Sequence, residues 1–224
     1  MAFDFEELRR AMVDSQVRTT DVTDLTLLDA LLDVPREQFV PDRQKPFAYT
    51  DRDVPLDDGT APVPRFLMQA SPFAKMVQLA EIGRDDVILD VGCGLGYSSA
   101  VLSRLGAAVI ALECDDALVD KATAKLAEHD FDSVAVVSGP LEAGYPSEGP
   151  YDVIMVNGAI EVAPDTLLTQ LKPDGRLVVV EGAGLDAVVR LYIRDEQGVV
   201  SDRIAFNSSV KPLPGFQKMA AFSF

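Results

Sequence analysis

Apolar residues recur along the chain in two rhythms, one helical and one strand-like, and the switches between them outline the fold. The first stretch is helical. Phe5, Leu8 and Met12 share one face of a segment from Phe3 to about Val17. Thr20 or Asp21 is placed to cap a second helix that carries Leu25, Leu28, Leu31 and Leu32 in one stripe. Val34-Pro35 ends it. Pro35, Pro41, Pro46, Pro55, Pro62, Pro64 and Pro72 then exclude a long helix before about residue 65. Phe39, Phe47, Tyr49, Phe66 and Leu67 predict that this stretch is a packed cover. Ser71-Pro72 reads as an N-cap followed by proline at the first helical position. Phe73, Met76, Val77 and Ala80 form the buried face of that helix, and Gly83 closes it.

From residue 87 the rhythm alternates. Val87–Val91, Ala108–Leu112, Ser133–Ser138, Tyr151–Val156 and Arg176–Glu181 are apolar runs suited to buried parallel strands. Ala187–Arg194 alternates as a sixth strand, after which Gln197-Gly198 turns, and Phe216–Phe224 is the seventh. Helical patterns lie between them. Ala100, Val101 and Leu105 precede a stop at Gly106; Leu118, Val119, Ala122 and Leu126 follow Asp115-Asp116; Leu167, Leu168 and Leu171 follow Pro164. Lys172-Pro-Asp-Gly175 reads as a turn. The alternation predicts an α/β chain with a doubly wound, mostly parallel seven-stranded sheet and an antiparallel ending. A helical and irregular cover precedes it. Residues 1–224 are expected to form one domain, with the cover in 1–72 and the α/β core in 73–224.

Composition narrows the function. The net charge is −16 with a pI near 4.3, which argues against nucleic acid and anionic membrane as partners. The two cysteines, Cys93 and Cys114, do not make a disulfide framework and read as small buried residues. No zinc-ligand spacing accompanies them, so no metal is expected. With no signal peptide or long apolar span, the expected location is the cytoplasm. His129, the sole histidine, falls at a helix C-terminus and reads as a surface residue.

The candidate chemistry sits at the first central strand. Its end reads Asp90-Val-Gly92-Cys93-Gly94-Leu-Gly96, then passes into a helix. Glycines let the backbone turn tightly and approach a ligand that a Cβ would block. A dinucleotide loop spaces its glycines G-x-G-x-x-G to seat a pyrophosphate. Here the third glycine comes one residue sooner, and Asp90 would repel phosphate. The loop therefore suits a ligand with cationic groups. Glu113 ends the next strand about twenty residues beyond Gly92, the spacing at which an acid meets a ribose diol. Gly139, Pro140, Leu141 and Asn157 fall on the same sheet edge.

This pattern resembles the first motif of S-adenosylmethionine-dependent methyltransferases. Val34-Pro-Arg-Glu-Gln-Phe-Val-Pro41, Ala48-Tyr-Thr-Asp51 and Val54-Pro-Leu56 resemble the N-terminal signature of the protein-L-isoaspartate O-methyltransferases. Tyr151–Pro164 and Leu171-Lys-Pro-Asp-Gly-Arg-Leu177 follow in that family's order, so the resemblance spans roughly residues 8–213. It implies a Rossmann-like methyltransferase fold, S-adenosyl-L-methionine as cofactor, and methyl-esterification of L-isoaspartyl residues in a protein or peptide partner. It implies cofactor binding by Asp90, Gly92, Cys93, Gly94, Gly96, Glu113, Cys114, Gly139, Pro140, Leu141 and Asn157. It places Gln69, Ala70 and Ser71 at the substrate. The family's loop reads Gly-Gln-Thr-Ile-Ser-Gln-Pro, whereas this chain has Met68-Gln-Ala-Ser-Pro72, after a longer run from Gly59. Ala70 stands in the serine position, and Ser71 is the hydroxyl available as a catalytic substitute. Pro140 replaces an acid. Two alternatives follow: a divergent member that methylates another substrate, or a cofactor-binding protein without isoaspartyl activity.

Overall fold

A computed structural model describes residues 3–57 and 63–218. Asp4 opens helix α1, Phe5–Met12, by accepting from the Glu7 N–H at 3.0 Å. The helix runs on through a π-helical stretch, Val13–Val17. Asp24, rather than Thr20 or Asp21, caps α2, Leu25–Asp33, and accepts from the N–H groups of Thr26 and Leu27. Asp21 instead takes a left-handed conformation that ends the preceding turn. The apolar stripe turns accordingly: Leu27, Leu28 and Leu31 are buried, whereas Leu25 is 69% exposed.

The proline-rich stretch holds short 3-10 turns and a two-stranded ribbon, β1 (Val54–Pro55) against β2 (Phe66–Leu67). The residues between Asp57 and Val63, Gly59 among them, lie outside the described ones. Helix α3, Ala70–Leu79, begins earlier than the Ser71 cap implies. Gln69 is the N-cap and makes no side-chain bond there. Ser71 and Pro72 occupy the first turn, where a missing N–H costs nothing. Glu81, at φ 48°, ends the segment ahead of Gly83.

Five parallel strands follow: β3 (Val87–Val91), β4 (Ala108–Glu113), β5 (Val134–Ser138), β6 (Tyr151–Ile160) and β7 (Leu171–Glu181). Strands β8 (Val188–Arg194) and β9 (Val200–Asn207) complete the sheet antiparallel. The spatial order is β5-β4-β3-β6-β7-β8-β9, so the chain reverses direction across the sheet between β3 and β6. Helices α4 (Tyr97–Leu102), α5 (Asp116–Glu128) and α6 (Asp165–Leu168) make the crossings. Strand β6 runs beyond Val156 through Asn157 and Gly158, with a register shift before Ala159. Strand β7 absorbs the expected Lys172–Gly175 turn as an irregularity before Arg176. The seventh strand is Val200–Asn207, not Phe216–Phe224. It is an edge strand with mostly exposed residues, so it carries no apolar alternation. Residues 208–218 fold back instead, and Pro212 bridges to Ala159; 219–224 lie outside the described residues.

Side chains alternate between two cores. Ile88, Val153, Met155, Val178 and Val180 join the N-terminal helices on one face. Leu89, Val91, Ile154, Val156, Leu177 and Val179 pack on the other with Leu213 and Phe216. The cover is pinned by Arg36, which is 1% exposed. Its guanidinium donates to the carbonyls of Ala48 (2.8 Å) and Met68 (2.5 Å) and lies 4.7 Å from the centre of the Tyr97 ring. Arg36→Ala would leave two buried carbonyls without donors. A destabilisation of about 3 kcal/mol is expected in urea unfolding.

Candidate functional site

Ligands on open α/β sheets bind outside the strands' carboxyl ends, where the strand order reverses. Here that place lies above β3 and β6, and the glycine turn fills it. Gly92, Gly94 and Gly96 have φ values of 81°, 58° and 96°. L side chains rarely adopt such values, so the glycines are needed for conformation as well as space. A Cβ at Gly92 would come within 2.9 Å of Leu213 and 3.0 Å of Arg65; one at Gly94 would come within 2.5 Å of Leu56. The chain's own Leu56, Arg65 and Leu213 therefore line the cradle.

Two buried carboxylates hold the turn. Asp90 lies beneath the turn, with both carboxylate oxygens bonded to the protein. Strand alternation directs it, like Ile88, toward the helical face, and it is 0% exposed. Its Oδ2 accepts from the hydroxyls of Ser98 (2.7 Å) and Ser99 at the start of α4, and the Asn157 amide donates to its Oδ1. Burial pushes its pKa up to about 6 against the opposing pull of these donors. Asp90 is thus a support beneath the loop, and Asn157 is half-buried and committed to it.

Glu113, also 0% exposed, ends β4 beside the cradle. Its Oε2 accepts from the Gly94 N–H at 2.9 Å and from Arg65 Nη2 at 2.8 Å; its Oε1 accepts from the Cys114 N–H at 2.9 Å. The acid expected at a ribose diol is held by an arginine from β2's approach. Cys93 is buried, and burial raises its thiol pKa. Cys114 is exposed, contrary to the expectation of a buried residue, because it sits just past the strand end. Partial burial and the Glu113 charge push its pKa up to about 11, so both thiols are protonated at neutral pH. Gly139, whose N–H donates to the Glu113 carbonyl, is half-buried; Pro140 is exposed; the Leu141 side chain packs into the core. A cleft of about 340 Å³ runs past Cys114, Asp115, Asp116 and Ala117, with Val63 and Pro214 opposite.

The substrate-side residues divide. The Gln69 N–H donates to Asp53 Oδ1 at 3.1 Å, and Ala70 is buried. Ser71 is not brought to the cradle. Its hydroxyl donates to Thr20 Oγ1 at 2.9 Å, because its place in the first turn of α3 faces the N-terminal segment. A narrow recess opens instead between Asp53, Arg65, Phe66, Asn157 and Lys211. Sequence reasoning passed over Arg65, Asp53 and Lys211. The one available signal was an arginine inside an apolar, proline-rich run. Among the described residues no cluster of His, Cys, Asp and Glu suits a metal, and no helix is long and apolar enough to cross a membrane.

Comparison with known proteins gives a consistent result. Residues 7–212 match the family model described as protein-L-isoaspartate(D-aspartate) O-methyltransferase. A protein-L-isoaspartate O-methyltransferase of Roseiflexus sp. (strain RS-1) is 37% identical over 193 residues, covering 86% of this chain and 85% of the relative. One from Methylorubrum extorquens (strain PA1) is 38% identical over 192 residues, covering 85% and 82%. A solved protein-L-isoaspartate O-methyltransferase superposes with a TM-score of 0.78 at 25% identity, over 94% of this chain and 66% of that one. A Plasmodium falciparum structure, a putative member in complex with S-adenosyl-L-homocysteine, shares the fold with a TM-score of 0.74 at 17% identity, over 95% and 99%.

The raised pKa of Asp90 has a measurable sign. The folded chain keeps this proton up to about pH 6, whereas the unfolded chain releases it near 3.8. The folded state thus loses stability as pH rises between those values and loses no more above. Asp90→Asn should remove this contribution, up to about 3 kcal/mol. Urea midpoints of both proteins from about pH 4 to 7 would display it as two curves that part as pH rises, the parent falling relative to the variant.

Proposed function

The chain belongs to the protein-L-isoaspartate(D-aspartate) O-methyltransferase family, and on that premise we propose that it esterifies the carboxylate of L-isoaspartyl residues with the methyl group of S-adenosylmethionine. The carrying observation is the positive-φ glycine cradle at the strand reversal, bounded by the buried Glu113. These residues fit the donor in kind. Gly92–Gly96 allow a close backbone approach, Glu113 has the chemistry for a ribose diol, and the cleft beside Cys114–Ala117 has room for a base. When bound, S-adenosylmethionine supplies an electrophilic methyl on a sulfonium.

The residues around the recess are suited to an acceptor that is already charged. A carboxylate is ionised at neutral pH and needs no general base. This fits a site whose thiols are protonated and whose serine, Ser71, is bonded to Thr20. Lys211, with its ammonium 5.4 Å from the Phe66 ring centre, and Arg65, paired with Glu113, stand at the recess together with the Asp53 carboxylate. Their part is to orient the acceptor, and that of Phe66, Met68 and Leu213 is to exclude water. The acidic surface and the unpaired thiols support a protein that works in the cytoplasm on other proteins.

One observation favours a second reading, a family member with a different acceptor. The β1–β2 ribbon and its Arg65 stand beside the recess where the family's short loop is expected. Labelled methyl transfer to an isoaspartyl peptide, with the aspartyl peptide as control, separates the two. Base-labile label on the isoaspartyl peptide alone is expected; no label despite tight binding of S-adenosylhomocysteine would favour the second reading. Gly94→Val forces a side chain into a positive-φ turn and against Leu56. It should lower S-adenosylhomocysteine affinity at least about a hundredfold in calorimetry.

A further inference from the structure

Arg65 and Glu113 form an ion pair at 2.8 Å with both side chains almost wholly excluded from water, at 4% and 0% exposure. The pair sits at the acid that the proposed function assigns to the donor's ribose. Arg65 also lies over Gly92, where an added Cβ would meet its Nη2 at 3.0 Å. Its backbone is tied down at both ends. The Arg65 N–H donates to Asp57 Oδ2 at 2.8 Å, and its carbonyl accepts from the Leu56 N–H at 2.9 Å. Arg65 further lines both openings of the site: the recess with Asn157 and Lys211, and the cleft with Cys114 and Asp115.

We propose that Arg65 is a positioning residue that occupies the donor's ribose seat, so that the donor binds by displacing it from Glu113 and the freed guanidinium turns to the carboxylate of the acceptor. This inference rests on the donor assignment above. Glu113 Oε2 already accepts from the Gly94 N–H and from Arg65, and its Oε1 from the N–H groups of Cys114 and Asp115, so a diol finds a free site only when Arg65 leaves. A donor that binds only the displaced state has its affinity lowered by the fraction of molecules in that state. The freed arginine shares the recess with Lys211, and Asp53 there is already bonded to the Gln69 N–H, so an anionic acceptor supplies the partner both cations call for. The consequence is ordered binding, donor first and acceptor second.

Arg65→Met keeps the length and removes the charge. Calorimetry with S-adenosylhomocysteine should find it binding about tenfold tighter than the parent. Without ligand the variant should melt lower, since Glu113 is then buried unpaired, and saturating ligand should raise its Tm more than it raises the parent's. In the methyltransfer assay the KM for S-adenosylmethionine should fall while that for the acceptor peptide rises, opposite shifts that a merely structural role does not produce. Arg65→Lys, which can still reach Glu113 as a point charge, should fall between. On the parent protein alone, the observed rate of ligand binding should level off at high ligand concentration as displacement becomes limiting. Equal or weaker binding by a folded Arg65→Met, or an observed rate on the parent that stays linear in ligand, overturns the inference and leaves the donor assignment standing. No binding by either protein overturns the donor assignment and the inference with it.

Discussion

Two carboxylates with no access to water, Asp90 and Glu113, constrain everything around the glycine turn. A buried carboxylate is tolerated only when hydrogen-bond donors surround it. Asp90 draws its donors from α4 and β6, which ties the sheet, the first helix after the turn and the Asn157 strand to one point. Glu113 draws its donors from the turn itself, from β4's own exit and from Arg65. The loop geometry is therefore set from below and from the side before any ligand arrives. That is the pre-organisation a site needs if reaction depends on placing two groups in line rather than on acid–base chemistry.

The family frame and the local departures act on different parts of the molecule. The sheet order, the parallel core and the cradle are those of a Rossmann-like methyltransferase. The departures are the Met68–Pro72 reading, the longer run before it from Gly59, and Pro140; the recess near the first of these is shaped by Asp53, Arg65, Phe66 and Lys211. There a ribbon, an arginine and a lysine stand over a cradle whose backbone is otherwise open to a ligand. A change in acceptor or in affinity is expected to arise there, since the seven-stranded sheet draws none of its strands from those residues.

Much of the fold was legible because buried parallel strands declare themselves as apolar runs. Val87–Val91 and Ala108–Glu113 stand as read, to within a residue. What failed did so for stated causes. Strand β9 is an exposed edge, so its residues obey no apolar rhythm, and the aromatic Phe216 that looked like a strand is instead a plug in the second core. Asp24 won the cap of α2 because Asp21 is held left-handed by the turn before it. In the site, the glycines were readable from spacing alone, since their role is conformational. The task of Asp90 was not, because a sequence does not say which face of a strand meets a helix. Ser71 looked available until the helix start moved to Ala70 and turned it toward Thr20. Arg65 was invisible for a deeper reason: its partner lies 48 positions away, and no local pattern announces such a pairing.

The clamp at Arg36 carries a wider meaning. It grips the Met68 carbonyl, and Asp53 grips the neighbouring Gln69 N–H. Both bonds fall on the single peptide that leads from β2 into α3, so the chain is fixed at that point. Lengthening the chain ahead of it costs little entropy and leaves the start of α3 in place. A scaffold arranged this way can acquire new clients by changes ahead of that peptide, while the glycine turn and its two buried carboxylates stay where they are.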